Sequence, residues 1–219
     1  MSVEVPVIAP RRAWRASALG VLLALVFFSL PAGSWVHEDA GLVNRMGYEL
    51  IVWAWVAGML LYVVRVERRP LSSIGFRALG VKDAIIAVVA GVLILALLAL
   101  ISWVVFPALH WSESRQEASL LALPYWLNVL IVVRAAVAEE ILFRGYPLER
   151  LQELTGSRAI AAVVSCAVFT LCHIRFWGWH HIFIAGSAGA ALTVLYLWRR
   201  NIWLNMIAHF MVDAAAFLA

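Results

Sequence analysis

Seven long apolar stretches, separated by short polar segments, constrain this chain more than any other feature of its sequence. They run approximately over 16–34, 48–64, 84–106, 124–144, 158–176, 181–198 and 201–218. A helix of about 20 apolar residues crosses the hydrocarbon core of a bilayer. Because 64% of the residues are hydrophobic and 14% are charged, a soluble domain could not bury so much apolar surface. The sequence therefore predicts an all-α fold, a polytopic transmembrane helix bundle of about seven spans, as a single membrane domain over 1–219.

The basic residues are distributed unevenly between the polar segments, and this bias predicts an orientation. With the N-terminus inside, the inner segments hold thirteen lysines and arginines and the outer segments hold three, while Arg134 lies within a span. Positively charged loops stay on the cytoplasmic side. We therefore expect an integral protein of a bacterial cell inner membrane with a cytoplasmic N-terminus. The arginines before the first stretch are also typical of a signal peptide, but the later spans favour a signal anchor or a plain first helix.

The formal net charge of +4 does not indicate a nucleic-acid partner. The basic residues belong to the loops that set topology, and no basic and aromatic surface domain is present to bind nucleic acid. The predicted partners are the lipid bilayer and a peptide or protein with a membrane-associated segment.

The first polar group in an apolar context is the sequence Glu139-Glu140-Ile141-Leu142-Phe143-Arg144 near the inner end of the fourth stretch. Glu140 and Arg144 are four residues apart, so they share a helix face and can form an ion pair. Glu139 points about 100° away and lacks that partner. This spacing favours Glu139 for general-base chemistry and Glu140 for support. The alternative is that both glutamates end a helix at the interface and are solvated.

Two further polar groups lie in the fifth and seventh stretches. His173 follows Phe169 by four residues, and a lone histidine near a span end is more often structural. His209 and Asp213 are four apart and share a face, which Asn205 extends by one turn. Ionisable residues within a span usually face a cavity or one another. An aspartate beside a histidine can also fix the orientation and tautomer of the ring.

These residue types allow two kinds of chemistry. They could activate water and stabilise an oxyanion, or two histidines and a carboxylate could hold zinc and leave a position open for water. The sequence has no His-Glu-x-x-His pair and no Gly-x-Ser-x-Gly motif. A common zinc-protease signature is therefore absent, and a serine mechanism is disfavoured.

The three motifs together resemble a known family. Glu139-Glu140-x-x-x-Arg144, Phe169-x-x-x-His173 and His209-x-x-x-Asp213, in this order on late spans, are similar to the motifs of the CAAX protease and bacteriocin-processing (CPBP, or Abi) family. The resemblance covers about 120–217. The stretch 71–77, Leu-Ser-Ser-Ile-Gly-Phe-Arg, also resembles a short segment often found upstream in this family.

The resemblance implies an intramembrane protease, similar to CAAX prenyl endopeptidases, with its active site inside a helix bundle. By this resemblance Glu139 and His173 activate the attacking water, and His209 and Asp213 contact the oxyanion. Glu140 and Arg144 brace the site. We expect no cofactor in this metal-free version of the mechanism. In a metalloprotease version, zinc would be held by Glu139, His173 and His209.

Asp213 departs from the eukaryotic branch of the family, which has asparagine at this position. An ionised aspartate would repel an oxyanion. The sequence leaves three roles open, in which Asp213 is protonated, orients His209 or belongs to a metal site.

Two other functions are compatible with the same residues. A non-catalytic immunity or scaffold member of the family would use the motifs structurally. A proton-coupled transporter could use Arg134 and the glutamates in a proton path, but internal symmetry between the halves of the chain is not visible. The sequence offers Asp213 or a lipid headgroup as the partner of Arg134, and it predicts that His180 and His181 are solvated in an outer turn.

The depth of the site is also open at this stage. Counting spans places Glu139 near the inner side and His173 near the outer side of the membrane. The motifs can meet only if the fourth helix continues inward from Tyr146 to Leu154, or if the fifth helix is tilted or begins later.

Overall fold

The computed structural model of the protein describes residues 11–26, 41–111 and 115–218, and these form helices joined by short turns. The α-helices are α1 (Arg11–Val26), α2 (Leu42–Leu61), α3 (Val81–Leu100), α4 (Arg115–Leu121), α5 (Tyr125–Glu139), α6 (Tyr146–Thr155), α7 (Arg158–Trp177), α8 (His181–Arg199) and α9 (Ile202–Phe217). Three π-helical segments, Tyr62–Val66, Ile101–Val105 and Glu140–Gly145, continue α2, α3 and α5. Short helical turns lie at Leu71–Ile74 and Phe106–Ala108. The predicted all-α fold class is confirmed.

Three described helices are long and apolar enough to cross a membrane on their own. They are Leu42–Val66, Val81–Ala108 and His181–Arg199. Shorter apolar helices lie at Trp14–Leu25, Arg158–Ile174 and Ile202–Phe217. Their outward surface is apolar, as lipid contact requires. These helices coincide with predicted apolar stretches, and the count of seven full crossings stays a prediction.

The second helix begins earlier than its apolar stretch. It starts at Leu42, so Arg45 lies inside the helix and is buried, whereas the sequence placed it in an outer polar segment. The hydropathy pattern missed this turn because Asn44, Arg45 and Glu49 interrupt it. Arginine and glutamate are compatible with a membrane helix where they face the protein interior.

The fourth stretch extends beyond Glu140 as one helical rod, which is one of the arrangements that allow the motifs to meet. Helix α5, the π-helical segment Glu140–Gly145 and α6 follow one another without a break from Tyr125 to Thr155. Glu139 therefore lies in the middle of the rod. The antiparallel α7 packs against α6, which brings His173, in the last turns of α7, to the level of Glu139.

The π-helical segment has a local cause in the sequence. Pro147 has no N–H group and cannot donate to the carbonyl of Phe143, four residues earlier. That carbonyl instead accepts a hydrogen bond from the Ser165 hydroxyl of α7. A π-turn inside an α-helix often marks a functional site because it redirects the side chains that follow.

Gly145 allows three elements to meet at the end of this segment. A Cβ atom at Gly145 would lie 2.5 Å from Ile202 Cδ1 and 2.7 Å from the Ile74 carbonyl oxygen. The stretch 71–77 is held here as well, because the Gly75 carbonyl accepts from the Ile202 N–H at 2.9 Å. This packing fixes the start of α9, the helix that carries His209, and α9 then runs between α3 and α5.

Candidate active site

The three sequence motifs converge at one point inside the bundle. Glu139 Oε2 lies 3.6 Å from His173 Nε2 and 4.0 Å from His209 Nε2. Glu139 and His209 are buried, and the His173 side chain is 20% exposed. The buried Oε2 atom accepts no hydrogen bond from the protein residues described. One carboxylate oxygen therefore faces two imidazole rings that come from different helices.

The tautomer of His173 follows from its backbone contact. His173 Nδ1 lies 2.8 Å from the carbonyl oxygen of Phe169, which can only accept, so Nδ1 carries the hydrogen. In the neutral ring the lone pair is then on Nε2. Nε2 is the atom that faces Glu139, and the two groups present two acceptors to the same space.

The Phe-x-x-x-His motif has a packing role that its sequence did not reveal. The Phe169 ring lies between the Arg144 guanidinium, 4.0 Å from the ring centroid, and the His173 ring at 4.2 Å. It also packs edge-on against Phe143 at 5.2 Å. Gly189 of α8 makes room for this ring, because a Cβ atom there would lie 2.9 Å from Phe169 Cδ1. Phe169 thus fixes His173 through both its carbonyl and its ring.

Glu140 lies at the centre of a fully buried hydrogen-bond network. Its Oε1 accepts from Arg144 Nη1 at 2.8 Å and is 2.8 Å from His209 Nδ1. Its Oε2 accepts from Asn205 Nδ2 at 3.0 Å. The ion pair between Glu140 and Arg144 has the spacing of four residues from which it was predicted. The alternative of two solvated glutamates at an interface is wrong, since Glu139 and Glu140 are both buried.

The two ring nitrogens of His209 face different carboxylates. Glu140, on a different helix, holds Nδ1 of His209, whereas Asp213 approaches the other ring nitrogen, with Oδ2 3.5 Å from Nε2. Asp213 thus shares the Nε2 side of His209 with Glu139. Asn205 joins this network as the stripe on α9 indicated, and it also donates to the Leu192 carbonyl at 2.7 Å.

Sequence reasoning missed Glu49 and left Arg134 without an assigned role. Arg134 Nε donates to both carboxylate oxygens of Glu49 at 3.1 Å, and Arg134 Nη1 lies 3.6 Å from Glu139 Oε1. Arg134 is therefore paired with Glu49, with Glu139 beside it, and not with Asp213, the protein partner that the sequence offered. A charged pair on two predicted spans was the available signal, because each charge in lipid requires a partner.

His180 and His181 are also placed differently from the sequence prediction of solvated side chains. The His181 ring stacks on Trp177 at 5.2 Å and lies parallel to the His173 ring at 6.3 Å. His180 packs against Trp111 and Trp179. These contacts form an aromatic rim on the side of the site where α7 turns into α8.

A cavity of about 1270 Å³ connects the site with this rim. Its polar wall includes Glu49, Arg134, Glu139, His173 and His209. Its apolar wall comes mainly from α3 and the segment after it and includes Val92, Leu95, Leu98, Trp103 and Phe106. Enzyme sites combine apolar walls with a few polar groups in this way. Glu139 lies on the wall of this cavity, so a ligand bound there can reach its carboxylate.

The predicted zinc ligands Glu139, His173 and His209 face one another. Within the residues described, however, no three His, Cys, Asp or Glu side chains are grouped so as to hold a metal ion. The two Nε2 atoms approach a single Glu139 oxygen, which suits a shared proton or a hydrogen-bonded water. This arrangement favours the metal-free version of the mechanism.

Comparison with known families agrees with the site. Residues 120–215 match the family described as Type II CAAX prenyl endopeptidase Rce1-like. This region contains all three motifs and the helices α5 to α9 that assemble them. The predicted resemblance is thus confirmed over this part of the chain, and the match together with the apolar helices indicates an integral membrane protein. The stretch 71–77 lies outside the matched region.

One curated relative is an uncharacterized protein, YpbD, of Bacillus subtilis (strain 168). It is 28% identical over 130 residues, which are 58% of this chain and 62% of the relative. The chain thus matches less than two thirds of that relative's length. No solved structure matches the chain significantly.

Proposed function

We propose that this protein is an intramembrane endopeptidase that hydrolyses a peptide bond with water activated by Glu139 and His173. The observation that carries the proposal is the convergence of Glu139, His173 and His209 at 3.6 and 4.0 Å on the wall of the large cavity. Burying ionisable groups in a membrane protein costs free energy, and such groups usually mark a functional site. The family match over 120–215 supports the same class of reaction.

Glu139 and His173 present the features that a water-activating pair requires. Glu139 Oε2 and the lone pair on His173 Nε2 are both acceptors and are 3.6 Å apart. A water that donates one hydrogen to each acceptor has its oxygen lone pairs free to attack a carbonyl carbon. Glu139 then takes the proton during attack and returns it to the leaving amine, as a general base and acid.

His209 and Asp213 are placed to act on the carbonyl oxygen. Because Nδ1 of His209 is engaged with Glu140, Nε2 is the atom directed into the cavity. Nδ1 donates to the Glu140 carboxylate, so it is the doubly protonated imidazolium form that has a hydrogen on Nε2, and this hydrogen can stabilise the negative charge of a tetrahedral intermediate. Asp213 Oδ2, 3.5 Å from that nitrogen, orients it in the resting site. A protonated Asp213 would add a second donor to the oxyanion.

Glu140 and Arg144 keep the histidine and the helices in place. Both side chains are completely buried, and the Arg144 guanidinium contacts the carboxylate of Glu140, the Phe169 ring and the Gly189 carbonyl. Their role in the proposal is to brace the site. Such supporting contacts hold a catalytic group within the narrow range of positions that supports the reaction.

The substrate class that fits the cavity is a peptide with a membrane-associated or lipidated segment. The apolar wall can cover an apolar segment or lipid chain, while the polar wall receives the peptide bond. The family description names prenylated CAAX proteins as one such class. For the location we propose a bacterial cell inner membrane with the N-terminus in the cytoplasm, on the basis of the positive charge of the inner segments.

The test is cleavage of membrane peptides, prenylated and unprenylated, by purified protein in detergent. The wild type is compared with Glu139→Gln and Glu139→Ala, and with Glu153→Gln as a matched control in an exposed glutamate. We expect cleavage to be lost in the Glu139 variants and kept in the control. Undiminished cleavage by Glu139→Gln would show that the catalytic assignment is wrong.

The same cleavage assay with excess chelator distinguishes the metal-free mechanism from the zinc mechanism. We expect cleavage to survive excess chelator, because water activation is assigned to Glu139 and His173. Loss of cleavage with chelator, restored by zinc, would instead make Glu139, His173 and His209 metal ligands. If a Glu139, His173 and His209 triple alanine variant kept full biological activity, the non-catalytic immunity or scaffold function would replace the peptidase.

A further inference from the structure

The charged residues on the wall formed by α2 and α5 are not used by the mechanism above. Glu49 comes from α2, and Arg134 comes from α5, one and a half turns before Glu139. The side chains of Glu49 and Arg134 are 5% and 10% exposed. All three residues line the cavity beside the histidines. A row of buried charges that leads to a reactive carboxylate can control where that carboxylate points.

We propose that Glu49 and Arg134 form a positioning pair for Glu139, an inference that rests on the proposed function of that residue. Arg134 lies between the two carboxylates, with Nε at 3.1 Å from both oxygens of Glu49 and Nη1 at 3.6 Å from Glu139 Oε1. The guanidinium therefore approaches one oxygen of Glu139, and the other oxygen, Oε2, faces the histidines.

The planar shape of the guanidinium makes this division possible. Arginine presents several N–H donors in a rigid fork, so one edge can bind Glu49 while another is directed at Glu139. A lysine ammonium is a single point on a flexible chain and cannot hold two carboxylates in fixed directions. Tyr48 covers the same guanidinium, 5.8 Å from its ring centroid, and limits the positions that it can take.

Glu49 has two effects on Arg134. Its bidentate contact fixes the guanidinium in a single orientation. The negative charge of Glu49 also offsets the positive charge of the Arg134 guanidinium. Without Glu49, Arg134 would form its ion pair with Glu139 alone inside the membrane. The Nη1 to Oε1 distance of 3.6 Å is longer than an ordinary hydrogen bond, so Glu139 is guided without being neutralised in a tight pair.

A charge exchange tests the proposal. It distinguishes a role of the pair in positioning Glu139 from a purely structural link between α2 and α5. The double variant Glu49→Arg, Arg134→Glu keeps an ion pair between the two helices but directs a carboxylate at Glu139. We expect its melting temperature in detergent to lie above that of Arg134→Glu alone, because the ion pair between the helices is kept. We expect kcat for a peptide that the wild type cleaves to fall about 100-fold, the cost of a misplaced catalytic group, with KM little changed.

Wild-type kcat in the exchanged protein would overturn the proposal, because a structural link alone would then account for the pair. If the exchanged protein does not fold, the Arg134→Lys variant tests the positioning role instead. The lysine keeps the charge, and we expect kcat to fall about 10-fold while KM is retained. Unchanged kcat in Arg134→Lys also overturns the proposal.

Two further variants are measured in the same assay. Arg69→Gln removes an exposed arginine that contacts Glu153 at 2.7 Å, and it should leave kcat unchanged. Glu139→Gln reports on the proposed function. If Glu139→Gln is active, the proposed function fails; if Glu139→Gln is inactive but the exchanged protein is fully active, only the positioning role fails.

Discussion

The inner cluster, made of Glu67, Ser73, Tyr146 and Arg150, and the candidate site around Glu139 both bury a glutamate beside an arginine. In the inner cluster both oxygens of Glu67 accept hydrogen bonds, from the Tyr146 hydroxyl at 2.7 Å and from Arg150 Nε and Nη2 at 2.9 and 2.7 Å. In the site, the contacts of Glu139 with Arg134, His173 and His209 are longer, at 3.6 to 4.0 Å. The glutamate and arginine of the inner cluster are therefore tightly hydrogen-bonded, whereas those of the site are farther apart.

The difference distinguishes a structural ion pair from a reactive one. A buried carboxylate whose oxygens are all bonded is held in place and has no acceptor left for a substrate or water. Burial and the Glu67 carboxylate also raise the pKa of the Tyr146 phenol, so Tyr146 remains a hydrogen donor in the inner cluster. Glu139 has an acceptor left, it faces a cavity, and two histidines approach it. Burial alone would have ranked the two clusters equally.

The largest effect is expected for Glu139→Gln, which tests the reactive side of the comparison. The amide cannot take a proton from water, so kcat should fall about 10³-fold, within the range of general-base catalysis. Stability should stay near that of the wild type or rise, because Glu139 Oε2 accepts no hydrogen bond from the residues described and the ion-pair contact of Oε1 with Arg134 is long, at 3.6 Å. Peptide cleavage and thermal melting of the same preparation measure both quantities. A large loss of stability would show that Glu139 belongs to a structural ion pair and would contradict the comparison.

Glu67→Gln tests the structural side and should show the opposite pattern. Removing one charge from the buried pair leaves Arg150 with the more exposed Glu153 carboxylate, 3.4 Å from Nη1, and the free energy of unfolding should fall by about 3 kcal/mol. The kcat of the protein that remains folded should lie within about 3-fold of the wild type, because a 1 Å misplacement is needed for a 10²-fold loss. Denaturation in detergent measures the first value. A lower kcat at unchanged stability would contradict the comparison.

Gly189→Ala tests how tightly the site is packed. Its new Cβ atom would lie 2.9 Å from Phe169 Cδ1, and the ring cannot move freely between Arg144 and Phe143. Overpacking of this kind costs about 1–3 kcal/mol. We expect a lower melting temperature together with reduced cleavage, because Phe169 also holds His173.

Gly186→Ala is the matched control on the same helix. A Cβ atom there would meet Thr170 Cγ2 at 3.7 Å, an ordinary contact. Stability and cleavage should therefore match those of the wild type. Equal effects of the two substitutions would show that helix α8 responds to alanine in general and not to the contact with Phe169.

The smallest effect is expected for Ser73→Ala in the inner cluster. Arg150 Nη2 donates to Ser73 Oγ at 2.9 Å, and loss of one such bond costs about 1 kcal/mol. Thermal melting should detect a decrease, while cleavage should not change. Ser72→Ala, at an exposed neighbouring position, serves as the control and should have no effect.

Several parts of the site could be predicted from residue spacing because they lie on one helix. Glu140 and Arg144, and likewise His209 and Asp213, are four residues apart, so helix geometry alone brings each pair together. The apolar stretches located the helices for the same reason. The depth of Glu139 could not be predicted, because it depends on the rod that continues through the π-helical segment into α6.

Contacts between helices required the tertiary structure. Asp213 lies beside His209 Nε2, as the spacing indicated, but the contact of Glu140 with Nδ1 comes from another helix and could not be predicted from spacing. Glu49 received no role from the sequence because its partner Arg134 is 85 residues away. His181 looked solvated in its turn but stacks between Trp177 and His173.

The sequence by itself determined that this chain forms a bundle of apolar helices and that the ionisable residues of the three late motifs turn inward. The physical reason is local: hydrocarbon excludes charges and unpaired backbone groups, and helical periodicity then fixes which side chains share a face. The tertiary structure alone decided which inward charges neutralise one another and which carboxylate oxygen stays available. That choice depends on distances of 3 to 4 Å between atoms on different helices, such as Glu139, His173 and Arg134, and packing sets those distances.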